Sequence, residues 1–432
     1  MKKKTMVAAA ILAMGALALT ACSSGAGSVK DAPLASAGAK KLSGTVTFWH
    51  AYSADSPEVS TLEKTIIPGF EKLHPGVTVK DVAVPYDDLH QKLVTAVAGD
   101  QLPDLVRADI AWVPELANLG VLEQLDTDMP DFTKLSQGTY PGSLATNKWK
   151  GHYYGLPLDT NTRVELYNQQ TLDKAGISSA PKTLDELVAD GPKLKAAGSY
   201  AFADNGAGGW NVLPFIWSQG GDITNPDYTK ASGYMDSDAT VKAVQYFVDL
   251  YKKGYLPNIV MGGTGGLSTS DGLAKGNYAT ILDGPWMYPI FQSQYPNFKL
   301  QAAQVPSGSA GSISVVGGED VVLTKSSKNK DAAAEFMRYL LSPDAQLAMA
   351  KVGQMPVLSD LDSQLTSINA YYAPFATQLK TAKPRPVTPA WSQIDTILQD
   401  EIRSAMKGDK TVKQALTEAA QKSDPLLAKY AG

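Results

Sequence analysis

Hydrophobic positions along the chain recur at two spacings, and the alternation between them sets the fold. Short apolar or alternating runs at Thr45–Trp49, Val77–Val84, Pro103–Val106, Val164–Tyr167, Ala279–Leu282 and Val321–Leu323 have the period and length of strands. Between them, apolar residues three and four apart predict amphipathic helices. Val59, Leu62, Ile66, Phe70 and Leu73 define one over 58–73, with Pro68 as a kink. Others are expected around Leu89–Val97, Trp112–Leu119, Thr183–Ala196, Val241–Tyr251, Lys330–Leu341 and Trp391–Ala405. Strand and helix alternate from the start, so the pattern predicts α/β architecture with helix-covered, mostly parallel sheets. At 432 residues, two or three domains are expected.

The amino end carries a different signal. Lys2, Lys3 and Lys4 precede an apolar stretch, Met6–Leu19, and Leu19-Thr20-Ala21-Cys22 closes it with small residues before the chain's single cysteine. The run falls short of the ~20 residues needed to span a bilayer. It resembles a bacterial lipobox, which implies removal of residues 1–21 and lipidation of Cys22. Loss of three lysines would take the formal charge from −4 to −7. Residues 22–41, rich in Ser, Ala and Gly, read as a flexible tether.

Composition narrows the function classes. A charged fraction of 19% with scattered Lys and Arg leaves no electrostatic footprint for nucleic acid. The four histidines, His50, His74, His90 and His152, lack the short spacing of a helix-borne metal site, and one cysteine gives no thiol cluster. Gly262–Gly266 is glycine-rich but lacks the phosphate-binding spacing, and no GxSxG elbow is present. With 43 acids a carboxylate pair can always be assembled, so glycoside hydrolysis stands as the alternative reading.

Aromatic and polar residues instead gather where predicted strands end, the usual place for ligands in open α/β sheets. Trp49, His50 and Tyr52 follow the first strand, and Asp109 and Trp112 the third. Asp159, Thr160, Asn161 and Arg163 lie in GLPLDTNTR after a Gly-Pro turn, Trp210 and Asn211 in GAGGWN, and Trp286 in DGPWMY. Sugars need both kinds of residue, since hydroxyls pair with Asp, Glu, Asn and Arg while the C–H face packs on Trp or Tyr. Each residue also has a plainer role open to it. Trp49 and Trp286 fit a core, Asp109 fits a helix cap, Arg163 fits a structural ion pair with Glu165 or another acid, and Tyr153 and Tyr154 fit packing.

Eight segments in order carry a resemblance: the lipobox, FWHAYS at 48–53, AGDQLPDL at 98–105, GLPLDTNTRVELYN at 155–168, PKTLDEL at 181–187, DGPW at 283–286, GGED at 317–320 and PAWSQI at 389–394. Together they resemble the carbohydrate-binding lipoproteins of ABC importers, and are similar to maltose- and trehalose-binding members of the family 1 extracellular solute-binding proteins. The resemblance implies a two-lobed, type II periplasmic-binding-protein-like fold, two α/β lobes joined by hinge strands around a ligand cleft. Lobe one is expected at 42–158 plus 313–352, lobe two at 159–312 plus 353–432. It further implies that Trp286 and Trp210 stack on sugar, that Asp109, Asp159, Asn161, Arg163, Gly318 and Glu319 meet hydroxyls, and that Trp391 can face the cleft. Ala108 stands where maltose binders often present a bulky aromatic, with Trp112 four residues on, which leaves compact disaccharides open beside longer chains.

The expectation is therefore a lipid-anchored, non-enzymatic monomer on the outer face of the cell membrane. It would capture a di- or oligosaccharide of maltose, trehalose or α-glucoside type and deliver it to permease subunits, without metal or cofactor.

Overall fold

The computed structural model describes residues 33–38, 41–54, 56–262 and 267–431. The expected leader, Cys22, the first part of the tether and most of the Gly262–Gly266 loop lie outside the described residues. The described end of the tether is docked rather than free. Leu34 is buried, its N–H donates to the Asp128 carbonyl at 2.8 Å, and Arg338 donates to the Ala35 carbonyl at 2.9 Å. The buried Leu34 side chain is joined by hydrogen bonds from the Ala35 and Gly38 N–H groups to Asp331 and Glu335.

Strands in chain order are β1 Gly44–His50, β2 Val77–Ala83, β3 Leu105–Asp109, β4 Lys148–Trp149, β5 His152–Tyr153, β6 Leu156–Thr162, β7 Val164–Tyr167, β8 Tyr200–Ala203, β9 Tyr278–Asp283, β10 Gln301–Ala303 and β11 Val316–Leu323. They build a five-stranded sheet, β2-β1-β3-β11-β6, a four-stranded sheet, β10-β7-β9-β8, and the small hairpin β4-β5. Helices cover both large sheets, so each lobe is α/β. Phe48, Phe70 and Phe336 pack on one face of the first sheet, and Leu89, Leu93 and Val113 on the other. On the second sheet Phe202, Phe215 and Phe247 take one face, and Leu166, Phe291 and Phe375 the other.

Pairing is less parallel than the alternation predicts. β1 runs parallel to β2 and β3, but β11 is antiparallel to both β3 and β6, and β7 is antiparallel to β9 and β10. The cause is the route of the chain. It leaves the first sheet at Thr162, enters the second at Val164, and returns along β11 from the opposite direction. The expected boundary at 158/159 falls inside β6, whose residues Asp159–Thr162 pair with β11. At Pro68 the α-helical pattern is interrupted: a π segment, Leu62–Ile66, precedes the α-helix Ile67–Leu73, and Pro68 stands in that helix's first turn, where its missing N–H costs least.

One buried side chain of the second sheet shows how the fold depends on pH. Glu165 on β7 is 1% exposed and neither carboxylate oxygen has a hydrogen-bond partner. The nearby Thr280 hydroxyl donates to the Ala201 carbonyl instead, and burial, opposed only by Thr280, pushes the Glu165 pKa well above the usual range. A raised carboxyl favours the fold when protonated, so it weakens the protein as pH climbs past the unfolded value of about 4.3. Glu165→Gln is expected to raise Tm at pH 8 and leave it unchanged at pH 4. Equal Tm at both pH values, by calorimetry, would show that the carboxyl is not held neutral.

Candidate functional site

The strand register assembles the site. β1, β3 and β6 all end at the edge of the first sheet where the chain crosses to the second. Glu319 on β11 lies opposite Asp109 of β3 on one side and Asp159 of β6 on the other. Three carboxylates in one cross-strand row repel one another. Two arginines make the row tolerable.

Arg107, two residues before Asp109 and therefore on the same face of β3, is 4% exposed. Its guanidinium donates to Asp159 at 3.0 Å, to Glu319 at 2.7 Å and to the Gln354 side-chain oxygen at 3.1 Å. The Tyr52 ring lies 4.2 Å beneath it. Burial alone would lower the Arg107 pKa, and the Asp159 and Glu319 carboxylates reverse this to a net rise. Burial also pushes Glu319 well above the carboxylate range, with Arg107 pulling it down and the adjacent Asp159 pushing it further up. Arg385 comes from the proline-rich segment before the helix Trp391–Lys407. It reaches across to Asp109 at 2.7 Å, with Tyr86 donating to the same carboxylate at 2.6 Å.

The second lobe contributes the aromatics. Trp210 sits in the first turn of the helix Gly209–Ser218, and Trp286 at the start of the helix Met287–Gln294 just past the end of β9. Their rings stack at 27° with centroids 6.4 Å apart, and the Arg385 guanidinium lies 5.6 Å from the Trp210 ring. A Cβ on Gly317 would come within 2.2 Å of Asn161 Oδ1 and 2.7 Å of Trp210, so β11 can pass between them only without a side chain. Several buried polar atoms here have no protein partner: Asp159 Oδ1, Asn161 Oδ1 and Arg385 Nε. Two acceptors and one donor beside paired indole rings are what a polyhydroxylated ring would satisfy.

The remaining expected residues are placed differently. Arg163 is buried between the sheets, pairing with Asp204 at 2.9 Å and donating to the Trp210 carbonyl at 2.9 Å and to the Leu282 carbonyl. It braces the crossing and positions Trp210, and its acid is Asp204 rather than Glu165. His50 turns away toward β2, with Nε2 3.3 Å from Asp81 and Nδ1 accepting from the Tyr52 N–H. Burial, opposed by Asp81, pushes its pKa down to about 4, so it stays neutral. Gly318 is needed for its backbone: φ is +132°, and a Cβ would meet the Asp159 carbonyl at 2.4 Å. Trp391 is 2% exposed, in the core with Ile394 and Leu398, where its ring packs against Gly209. Trp112 packs on Tyr86 and His90 at the margin of the row, while Trp49 lies under Lys92 at 4.1 Å against the core.

Arg107 and Arg385 were not among the expected residues. The signal for Arg107 was a charged residue inside an apolar strand, two before an aspartate. Arg385, between two prolines, gave no comparable mark.

The sequence profile of the bacterial extracellular solute-binding proteins matches residues 53–347. This chain belongs to that family. A binding protein of Brucella abortus is 29% identical over 374 residues, covering 83% of this chain and 88% of its own. The GacH receptor of Streptomyces glaucescens, solved unliganded and with acarbose and an acarbose homolog, is 26% identical with a TM-score of 0.79, covering 90% of this chain and 99% of that one. An ABC transporter solute-binding protein of Thermotoga lettingae, solved with α-D-tagatose, is 27% identical with a TM-score of 0.79, covering 89% and 100%. The two-lobed fold is theirs also, and the family is one of binding proteins rather than enzymes. Among the described residues no group of His, Cys, Asp or Glu is placed to hold a metal ion, and no helix is long and apolar enough to cross a membrane.

Several contacts hold the lobes of this extracellular solute-binding protein together. Besides Arg385–Asp109, Ser392 at the start of its helix donates to Glu115 at 3.0 Å, and Trp149 meets Tyr430 edge-on at 6.4 Å. The site is therefore described in a closed arrangement.

Proposed function

We propose that the chain is the lipid-anchored binding component of an ABC importer, taking a di- or oligosaccharide into the cleft between its lobes. The observation that carries this is the set of partnerless buried atoms, Asp159 Oδ1, Asn161 Oδ1 and Arg385 Nε, beside the Trp210–Trp286 stack. A hydrogen bond to a charged group such as Asp159 or Arg385 contributes ~1.5–3 kcal/mol and one to the neutral Asn161 amide ~0.5–1.5 kcal/mol, so with a stacked ring they approach the about 8 kcal/mol of a micromolar complex, and further hydroxyl contacts cover the entropic losses. The saccharide-bound state of the GacH receptor, with acarbose, supports the same ligand class here. Maltose, trehalose and related α-glucosides are the first candidates. Sugar bound to one lobe gains contacts from the other only on closure, and those differential contacts shift the population to the closed, permease-competent form. Cys22 is the anchor to the outer face of the membrane, and the receptor works as a monomer.

The test is tryptophan fluorescence of the full chain in detergent, titrated with trehalose, maltose, maltotriose, cellobiose and raffinose. Saturable quenching at micromolar sugar, with the sugar recovered intact by chromatography, is expected for at least one. Trp286→Ala should weaken that binding at least tenfold, ~1.4 kcal/mol. A silent panel with folded, ligand-free protein sinks the saccharide reading, and unchanged affinity removes Trp286 from the site. Incorporation of radiolabelled palmitate in bacterial cells, abolished by Cys22→Ser, tests the anchor separately.

A further inference from the structure

The end of lobe one remote from the cleft carries a surface of its own. β1 runs seven residues, ~20 Å, from Gly44 toward the site, so the starts of β1, β2 and β3 and the finish of β11 all lie at that far end. Leu73, 65% exposed, and Leu119, 47% exposed, are the two most exposed large apolar side chains among the described residues, and both are here. Leu73 closes the helix Ile67–Leu73 that leads into β2. Leu119 follows the helix Val113–Asn118, two residues before Val121, whose carbonyl accepts from the Lys325 N–H at 2.9 Å. Lys41, Lys72, Lys325 and Lys328 stand exposed around them. Most acids of this end are already engaged: Asp104 accepts from Thr47 and Ser327, Glu123 pairs with Lys330, and Asp131 and Glu335 pair with Arg338. Asp126 and Asp128, on the flank, are tied to His152 and to Gln124 and Thr127. Only Asp100 and Asp331 are fully exposed acids there, and Asp331 takes the Ala35 N–H. Within a chain of net charge −4, the far end is therefore locally positive.

The tether leaves from the same end. Ala35 and Gly38 are fixed along the first turns of the helix Lys330–Leu340, with Ala35 held by Asp331 at its N–H and by Arg338 at its carbonyl. Twelve peptide units separate Leu34 from Cys22, a reach of ~40 Å at full extension. An anchor at Cys22 thus brings this end to the bilayer directly, whereas bringing the cleft there requires the tether to pass round the lobe. We propose, resting on the reading of Cys22 as a lipid anchor, that the far end of lobe one is a contact face for anionic phospholipid, with Leu73 and Leu119 seated among the headgroups and the four lysines beside them. Lysines are drawn to an anionic surface within a Debye length, and exposed apolar side chains enter the boundary between headgroups and acyl chains. In this pose the cleft is turned outward, toward incoming solute. Delivery to the permease then requires the body to leave the face, and a contact of four solvated charges and two side chains is weak enough to be left.

With the natural cysteine acylated, one introduced cysteine takes a fluorophore alone. The experiment labels Ser43→Cys, exposed at the far end, and Lys252→Cys, exposed on lobe two, in the lipidated full chain. Each is inserted into preformed vesicles of phosphatidylcholine, with or without phosphatidylglycerol, that carry a nitroxide on the headgroup. With phosphatidylglycerol present, the Ser43→Cys label is expected to be quenched at least about twofold more than the Lys252→Cys label. That ratio should fall toward one in phosphatidylcholine alone, and also at about 1 M salt, where the Debye length is ~3 Å. It should fall likewise in Leu73→Ser/Leu119→Ser, whose Tm and flotation with vesicles should match the parent because both side chains are already exposed. Equal quenching of the two labels in protein that floats with the vesicles would overturn this inference and leave the anchor standing. Protein that does not float would overturn both. Dimers seen by light scattering in detergent, and lost in Leu73→Ser/Leu119→Ser, would assign the face to a second copy of the chain and overturn the lipid reading of it.

Discussion

Arg107→Met is expected to destabilise the protein by about 3–5 kcal/mol, the usual loss when one partner of a buried ion pair is removed. The reason is what stays behind. Asp159 and Glu319 would face each other across adjacent strands with their shared cation gone, and Glu58 would lose the charge nearest to it. Methionine keeps most of the volume under Tyr52, so the loss reports charge rather than a cavity. Protonating Glu319, whose carboxyl burial holds above its unfolded value, relieves the repulsion, and that relief is greatest below about pH 4 and fades as pH rises. Urea unfolding should therefore show a wide gap from the parent at pH 7 and a narrow one at pH 4. Adding Glu319→Gln to Arg107→Met should return part of the stability at pH 7. A loss below 1 kcal/mol at pH 7 would mean that water reaches the row and that the arginine is dispensable.

The same row explains how much of the molecule was legible in sequence. Elements with a clean period were found close to their observed ends: Val164–Tyr167 is a strand as read, and the helix over Trp391–Lys407 keeps its apolar stripe. β6 and β11 were not fully read. In β6, Asp159, Thr160, Asn161 and Thr162 are all buried, and a strand buried on both faces through polar residues has no alternation to detect. In β11 only Val321–Leu323 looked like a strand, because Gly317 and Gly318 interrupt the apolar run. Those glycines are there to let the strand pass close to Asn161, Trp210 and β6, which is a tertiary demand. The last helix, Val412–Ala428, was passed over although Thr411 and Gln414 form a capping box at its start.

The candidate site divides along similar lines. Residue type pointed to Asp109, Asp159, Asn161, Trp210 and Trp286, the family resemblance added Glu319, and the fold brings these to one place. His50, Gly318 and Trp391 sit beside strand ends or motifs just as plausibly, yet face β2, the backbone of β6 and the second lobe's core. A strand end fixes where a residue is along the chain but not which way its side chain turns. The cations that neutralise a buried acid are harder still, since they can come from anywhere in sequence. Arg385 pairs with an aspartate 276 positions away.

That separation makes Arg385 the second large test, with an effect of a different kind. Arg385→Met removes the cation from Asp109, again at about 3–5 kcal/mol for a buried pair. Here, however, the partners belong to different lobes, and opening the cleft would let water solvate the stranded carboxylate. The cost then falls on the closed arrangement rather than on folding. Taken against 1.4 kcal/mol per tenfold, it would shift the open–closed equilibrium by about two to three and a half powers of ten. The variant without sugar is expected to scatter X-rays with a larger radius of gyration than the parent, while its Tm falls only slightly. Sugar must then supply the lost closure energy, so affinity should drop by the same factor as the closed population. Unchanged scattering together with a Tm loss of several degrees would place the Arg385–Asp109 pair among the elements that hold the lobes folded, and closure would have to rest on Ser392–Glu115 and the tryptophans.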